Sequence, residues 1–445
     1  MTARVVLAGA RGYGQTHLAE LARLGERVEL VGVADPVVAA EGTTLRDGRF
    51  APSSGTALRD AADGRSSGTA LRDGRSAPSS GTTLRDGRFA PSSGTTLRDG
   101  RFAPSSGIPV YRTLGEALAA AGQVDLVVVA TPIPTHFELA ALALEHGADV
   151  LLEKPPAPSL EQFERLLELE RSAGRAVQVG FQSLGSHAVP ALRAGLPGVG
   201  APSRAFAVGT WMRTAAYWAR SSWAGRRAFP DGTPVCDGVV TNPLAHAVAT
   251  ALAVVGLHEA SEVARVDVDL YRANPIEADD TSAVRVTGTN GAVVSAALTL
   301  CAPQQSLPTV TTVGDEGAAE FAYTVDEVRT LRQGSAQVLR QGSAQVQTTT
   351  APETFGRTSL LENLLDHRET GAELLVPLTR TGAFMRVVEA IRTAPDPLPI
   401  PAEHLDWAGE GPDRHPVVRE VEQWCRRAAE EGRTFAELRA PWARR

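Results

Sequence analysis

The sequence predicts an α/β fold: a doubly wound parallel sheet, followed by an α+β domain with a large open, mainly antiparallel sheet. Three observations carry this. Short, uninterrupted apolar strands alternate with helices over residues 1–181, the pattern of a parallel sheet covered on both faces. A glycine-rich turn, Gly9-Ala10-Arg11-Gly12-Tyr13-Gly14, follows the first strand. After about Gln182, alternating apolar and polar segments replace the continuous ones, as in an antiparallel sheet with two unlike faces.

Taken in order, Arg4–Ala8 and Glu29–Ala34 read as buried strands flanking a helix with Leu18, Leu21, Ala22 and Leu24 on its apolar side. Leu114–Ala121, His136–His146 and Leu160–Ala173 read as helices, and Asp125–Ala130, Asp149–Leu152 and Ala176–Gly180 as strands. In the second part, Ser203–Met212, Glu262–Tyr271, Ser282–Thr289, Ala292–Cys301 and Ala318–Tyr323 alternate as strands. Helices are expected near Leu244–Val255, Ser359–His367, Thr379–Arg392 and Val417–Glu430. The division is therefore a dinucleotide-binding domain over 1–181 and a substrate-binding and oligomerisation domain over 182–445.

Residues 43–107 interrupt the first domain with five copies of a 13-residue unit, clearest as TTLRDGRFAPSSG at Thr43–Gly55. Each copy has too few large apolar side chains to offset its chain entropy, so a flexible surface insertion is expected. LRQGSAQV is likewise duplicated at Leu331–Val338 and Leu339–Val346.

The net charge of −7 argues against nucleic acid or an anionic membrane surface as a partner. Cys236, Cys301 and Cys425 stand far apart, without disulfide-framework or metal-ligand spacing, so no metal is expected and a reducing cytoplasm fits. The start lacks the apolar core of a signal peptide.

Five motifs carry chemistry. In the Gly9–Gly14 turn the glycines permit a tight bend and close helix packing, and the helix N-terminus faces a pyrophosphate. Gly9, Arg11, Gly12, Tyr13 and Gly14 are the candidate contacts, with Arg11 where the motif has its middle glycine. Asp35, ending the second strand, is placed to accept hydrogen bonds from an adenosine ribose, which favours NAD and leaves NADP as the alternative. Thr131, Pro132 and His136 lie at the C-terminal end of a strand, where such sheets bind ligands; Thr135 also reads as a helix N-cap. Glu153-Lys154-Pro155 follows the next strand and aims a lysine into the same crevice, where a lowered pKa suits proton transfer. Asn242-Pro243 reads as the cap and first residue of a helix carrying His246, a general acid/base. Trp211–Trp223 holds three of the six tryptophans, and Arg213, Tyr217, Arg220 and Trp223 suit a polyol or carboxylated sugar.

These motifs, in this order, resemble the glucose–fructose oxidoreductase/inositol dehydrogenase/MocA-type (Gfo/Idh/MocA) family, most strongly over residues 3–36 and 108–250. The resemblance implies a Rossmann domain binding NAD or NADP, and a C-terminal domain whose sheet supports the substrate and often joins subunits. It implies Lys154 and His246 as catalytic residues. Asn242 stands where many members have an aspartate. The expected protein is a cytoplasmic, homo-oligomeric NAD(P)-dependent dehydrogenase of a sugar, cyclitol or related polyol. A hydrolase acting by transient oxidation, or a nucleotide-sensing regulator, is the alternative.

Overall fold

The computed structural model describes residues 2–41, 43–46, 49–52, 107–331 and 351–443. Most of the repeat insertion and the LRQGSAQV duplication lie outside the described residues. Within the first repeat, Thr43–Arg46 and Arg49–Pro52 pair as an antiparallel hairpin.

The first sheet contains β1 (Ala3–Ala8), β2 (Val28–Ala34), β3 (Val110–Tyr111), β4 (Leu126–Val129), β5 (Asp149–Leu152) and β6 (Val177–Val179). Its order is β3-β2-β1-β4-β5-β6, with every pair parallel, as in a doubly wound dinucleotide fold. Val5, Val6, Leu7 and all of Leu126–Val129 are fully buried, because helices cover both faces. Helix α1 (Gly14–Leu24) buries His17, Leu18, Leu21 and Leu24 at helical spacing. Helix α2 (Pro36–Ala40) follows β2 directly, and α3 (Leu114–Ala121) is capped by Thr113 Oγ1, which accepts from Glu116 N at 3.2 Å. Next come α4 (His136–Glu145) and α5 (Leu160–Ala173), the latter capped by Ser159 and ended by left-handed Gly174.

The second sheet contains β7 (Arg204–Thr210), β8 (Val263–Arg272), β9 (Thr281–Gly288), β10 (Val293–Thr299), β11 (Thr309–Val313), β12 (Ala318–Ala322), β13 (Glu327–Leu331), β14 (Glu353–Thr354) and β15 (Leu398–Pro399). The order is β14-β13-β12-β11-β7-β10-β9-β8-β15. The sheet is mixed: β7 and β10, side by side at its centre, run parallel. Helix α6 (Ala188–Ala194) precedes β7, and α7 (Ala215–Trp218) and the fully buried α8 (Ala245–Val254) follow it. The expected helix over Val417–Glu430 starts later. His415–Val418 is a strand paired with Leu405–Ala408, because Pro416 sets the backbone extended before it. The helix runs over Val421–Glu431.

The terminal helix packs on one face of this sheet. Val421, Cys425, Phe435 and Trp442 are buried in one cluster with Phe206, Tyr271, Ala283 and Ala297 of the sheet. This part of the sheet is covered by the chain itself. The opposite face packs α8 into a core continuous with the first sheet, which brings Asn242 to Lys154, just after β5, and His246 to Phe181 and Ser183, just after β6. Among the described residues, no helix is long and apolar enough to cross a membrane.

Candidate active site

The glycine turn is built from close approaches. Gly14 packs on Gly9, where a Cβ would lie 2.0 Å from Gly9 O. Gly9 has φ +84° and lies against Ala130, at the end of β4. Gly12 has φ +56° and no heavy atom within 4 Å of where a Cβ would stand, so bare backbone faces outward there. Tyr13 stacks edge-on against His17 at 5.2 Å. Asp35 is buried and its carboxylate serves the turn. It accepts from Ala10 N at 3.1 Å, Val37 N at 3.0 Å and Val38 N at 3.2 Å, capping α2. The exposed Arg11 reaches within 3.9 Å of it.

The loop after β4 is tied to the loop after β5. The buried His136 ring lies between Thr131 O at 2.8 Å and Pro155 O at 2.7 Å, and burial lowers its pKa. Thr135 does not cap α4 with its side chain; its hydroxyl donates to Pro132 O at 2.8 Å and lies 2.7 Å from the Thr131 hydroxyl. Glu153 turns inward: Oε1 lies 2.8 Å from His17 Nε2 and accepts from Gln182 Nε2 at 3.0 Å. Glu20, 3.6 Å from His17 on its other side, accepts from Ser359. Glu153 thus joins β5, α1 and the second domain.

Burial alone would lower the His17 pKa, but its hydrogen bond to Glu153 and the Glu20 carboxylate on its other side override this and raise it to about 9. The stability this adds is complete below the ordinary imidazole value near 6.5 and is lost as pH rises through about 9. His17→Gln should therefore melt below the parent at pH 6, by about 2–3 kcal/mol, with the gap narrowing towards pH 9.5. Parallel Tm–pH curves would refute the link.

Lys154 is half-buried. Its Nζ donates to Asn242 Oδ1 at 2.6 Å and Asn242 O at 2.8 Å. Burial lowers its pKa to about 8, against the opposing pull of Glu153 and Asp237. A neutral amine has two N–H groups, and Asn242 accepts both, which leaves the lone pair directed elsewhere. Asn242 is consequently not the expected helix cap. The helix begins at Ala245 with Leu244 at its cap position and no side-chain cap, because the Asn242 amide is held by Lys154 and by Asp237, 2.6 Å from Nδ2. His246, buried at the start of α8, has Nδ1 3.3 Å from Ser183 Oγ. Thr250 Oγ1 donates to Ser183 Oγ at 2.9 Å. When the serine proton is directed at Nδ1, the imidazole proton stands on Nε2. Burial and the neighbouring Lys154 push the His246 pKa well down, so the ring is neutral.

The aromatic–arginine segment is gathered into an alternating stack. Arg220 lies 4.6 Å from the Trp223 ring and 3.8 Å from Tyr217; Arg213 lies 5.0 Å from Tyr217 and 4.7 Å from Trp211. Arg220 Nη2 is 3.1 Å from Asp237 Oδ2, which connects the stack to Asn242 and Lys154. Sequence reasoning missed Asp237, His17 and Ser183 as parts of the arrangement. It also missed a countable signal: of the 44 Lys and Arg residues, Lys154 is the only lysine.

The crevice at the ends of β1, β4 and β5 fits a dinucleotide at the turn, where Gly12 presents backbone to it. Residues 93–181 match the model of an oxidoreductase family with an NAD-binding Rossmann fold, GFO_IDH_MocA. An inositol 2-dehydrogenase of Saccharopolyspora erythraea is 50% identical over 62 residues, 14% of this chain and 18% of that protein. Another, of Rhodococcus jostii, is 42% identical over 86 residues, 18% of this chain and 23% of that one. The matched segments thus span about a fifth of these relatives' length. In fold, the chain is similar to the WlbA dehydrogenase from Bordetella pertussis, solved with NADH and UDP-GlcNAcA: TM-score 0.58, 18% identity, covering 88% of this chain and 95% of that one. In its strand order, its glycine turn and the segment Glu153-Lys154-Pro155, the Rossmann-like domain of this chain is similar to the Gfo/Idh/MocA oxidoreductases.

Proposed function

We propose that the chain is an NAD(P)-dependent dehydrogenase acting on a hydroxyl of a sugar, cyclitol or related polyol. Residues 1–181 would hold the dinucleotide and 182–445 the substrate. The observation that carries this is Lys154: the sole lysine in an arginine-rich chain, with a pKa lowered to about 8 and both amine N–H groups accepted by Asn242. Arginine supplies charge and hydrogen bonds, but it cannot give up its proton near neutral pH. Lysine in this one place is what proton transfer requires.

When bound, the nicotinamide supplies the hydride acceptor. Gly9, Arg11, Gly12, Tyr13 and Gly14 would hold the pyrophosphate end. Thr131, Pro132, Glu153 and Pro155 shape the crevice, and His136 fixes its two loops together. Asp35 carries the preference for NAD through its charge, with Arg11 partly offsetting it. In the oxidative direction neutral Lys154 takes the hydroxyl proton through its lone pair, while His246 donates Nε2–H to the developing oxyanion. Arg213, Tyr217, Arg220 and Trp223 form a wall for the sugar, and the inositol 2-dehydrogenase relatives support the substrate class.

The test is a panel of sugars and cyclitols with NAD and NADP, read by absorbance of the reduced cofactor. Net reduced cofactor supports the dehydrogenase; product release with none formed would favour the hydrolytic alternative. Because Lys154 must be neutral to accept a proton, oxidation should accelerate as pH rises through about 8 and then level off. The reverse reaction, which needs the protonated amine, should slow over the same range. An oxidation rate flat between about pH 7 and 9 would count against Lys154 as the base.

A further inference from the structure

We infer that Asp237 is a positioning residue for Lys154, acting through Asn242. The inference rests on the reading of Lys154 as the base. The two ends of the Asn242 amide face opposite demands: Nδ2 donates to Asp237 Oδ1 at 2.6 Å, and Oδ1 accepts from Lys154 Nζ at 2.6 Å. A carboxylate only accepts, so Asp237 admits the amide in one orientation, the one that offers oxygen to the lysine. Turned over, the amide would present N–H groups to an amine and leave the carboxylate facing its oxygen.

Asp237 is itself fixed. It is buried, and Oδ2 accepts from Gly225 N at 2.8 Å and Arg220 Nη2 at 3.1 Å. Arg220 in turn lies between Tyr217 and Trp223. A line of contacts therefore runs from the aromatic wall through one carboxylate and one amide to the lysine.

The amide spacer has a chemical consequence. A carboxylate touching the amine would hold it as the ammonium. One amide further away, it orients the acceptor while allowing the amine to lose its proton. The charged and titratable groups around Lys154 are Glu153 beside it, Asp237 and Arg220 through Asn242, and the His136 and His246 imidazoles.

The sole lysine makes the test direct, since protein labelled with [ε-13C]lysine gives one Cε resonance. Its titration and its order parameter are read in the parent, Asp237→Asn, Asp237→Ala and the exchange Asp237→Asn/Asn242→Asp. Asp237→Asn should lower the midpoint by about half a unit or more. Asp237→Ala should also lower the Cε order parameter, as the amide becomes free to turn. The exchange variant keeps one carboxylate and one amide in the line, so it remains informative if the single variants fail to fold; its midpoint should rise above the parent's.

A folded Asp237→Ala variant with midpoint and order parameter unchanged overturns the inference, as does an exchange variant titrating with the parent. A parent midpoint near 10.5 would instead defeat the underlying reading of Lys154, so the two failures are distinguishable.

Discussion

Lys154→Arg should fold like the parent and lose turnover by about two to four orders of magnitude, the usual size of a general acid–base contribution. The conservative change is the informative one. Arginine keeps the charge and can still donate to Asn242, yet it stays protonated throughout the working range. A role in charge or hydrogen bonding alone would tolerate this substitution, as the rest of the chain does wherever it carries a basic side chain. Lys154→Met should lose turnover to the same degree. Its Tm should remain within a few degrees of the parent's, since burial already opposes the ammonium form. Steady-state rates on the best substrate of the panel, together with melting curves, check both variants. Turnover by Lys154→Arg within about tenfold of the parent would remove the lysine from the chemistry.

Gly14→Ala should abolish nucleotide binding and lower stability by about 3 kcal/mol or more, the upper range for overpacking. The added methyl would stand 2.0 Å from Gly9 O and 2.9 Å from Gly9 C. Both are backbone atoms, so the helix must part from the turn. Gly12→Ala is the control. Its φ of +56° makes a side chain unfavourable by about 1 kcal/mol, but the space is open. NADH fluorescence titrations and Tm should therefore separate the two variants. Equal effects would mean that the turn is not held by the packing of Gly14 on Gly9.

The strands and helices of the first domain were legible because their signals are local. Leu114–Ala121, Asp149–Leu152 and Leu160–Ala173 have the bounds their apolar runs and caps imply. Lys154 and His246 were legible from motif and position, and the fold brings both to one crevice. What stayed hidden depends on partners distant in the chain. Asp35 reads as a ribose ligand, and the donation it receives from the turn 25 residues earlier is not local. Glu153 reads as a cofactor contact, and its carboxylate also meets His17, 136 residues away. Asn242-Pro243 carries a good helix-start signal. Tertiary hydrogen bonds to Lys154 and Asp237 override it and move the helix start to Ala245. Alternation reports two unlike faces, not strand direction: within the mainly antiparallel second sheet, β7 and β10 alternate and still run parallel.

The most direct test of the account is the titration of Lys154 itself, by its single [ε-13C]lysine resonance in the free protein. The account predicts a midpoint near pH 8. A midpoint near 10.5, the ordinary value for a solvated lysine, would contradict it.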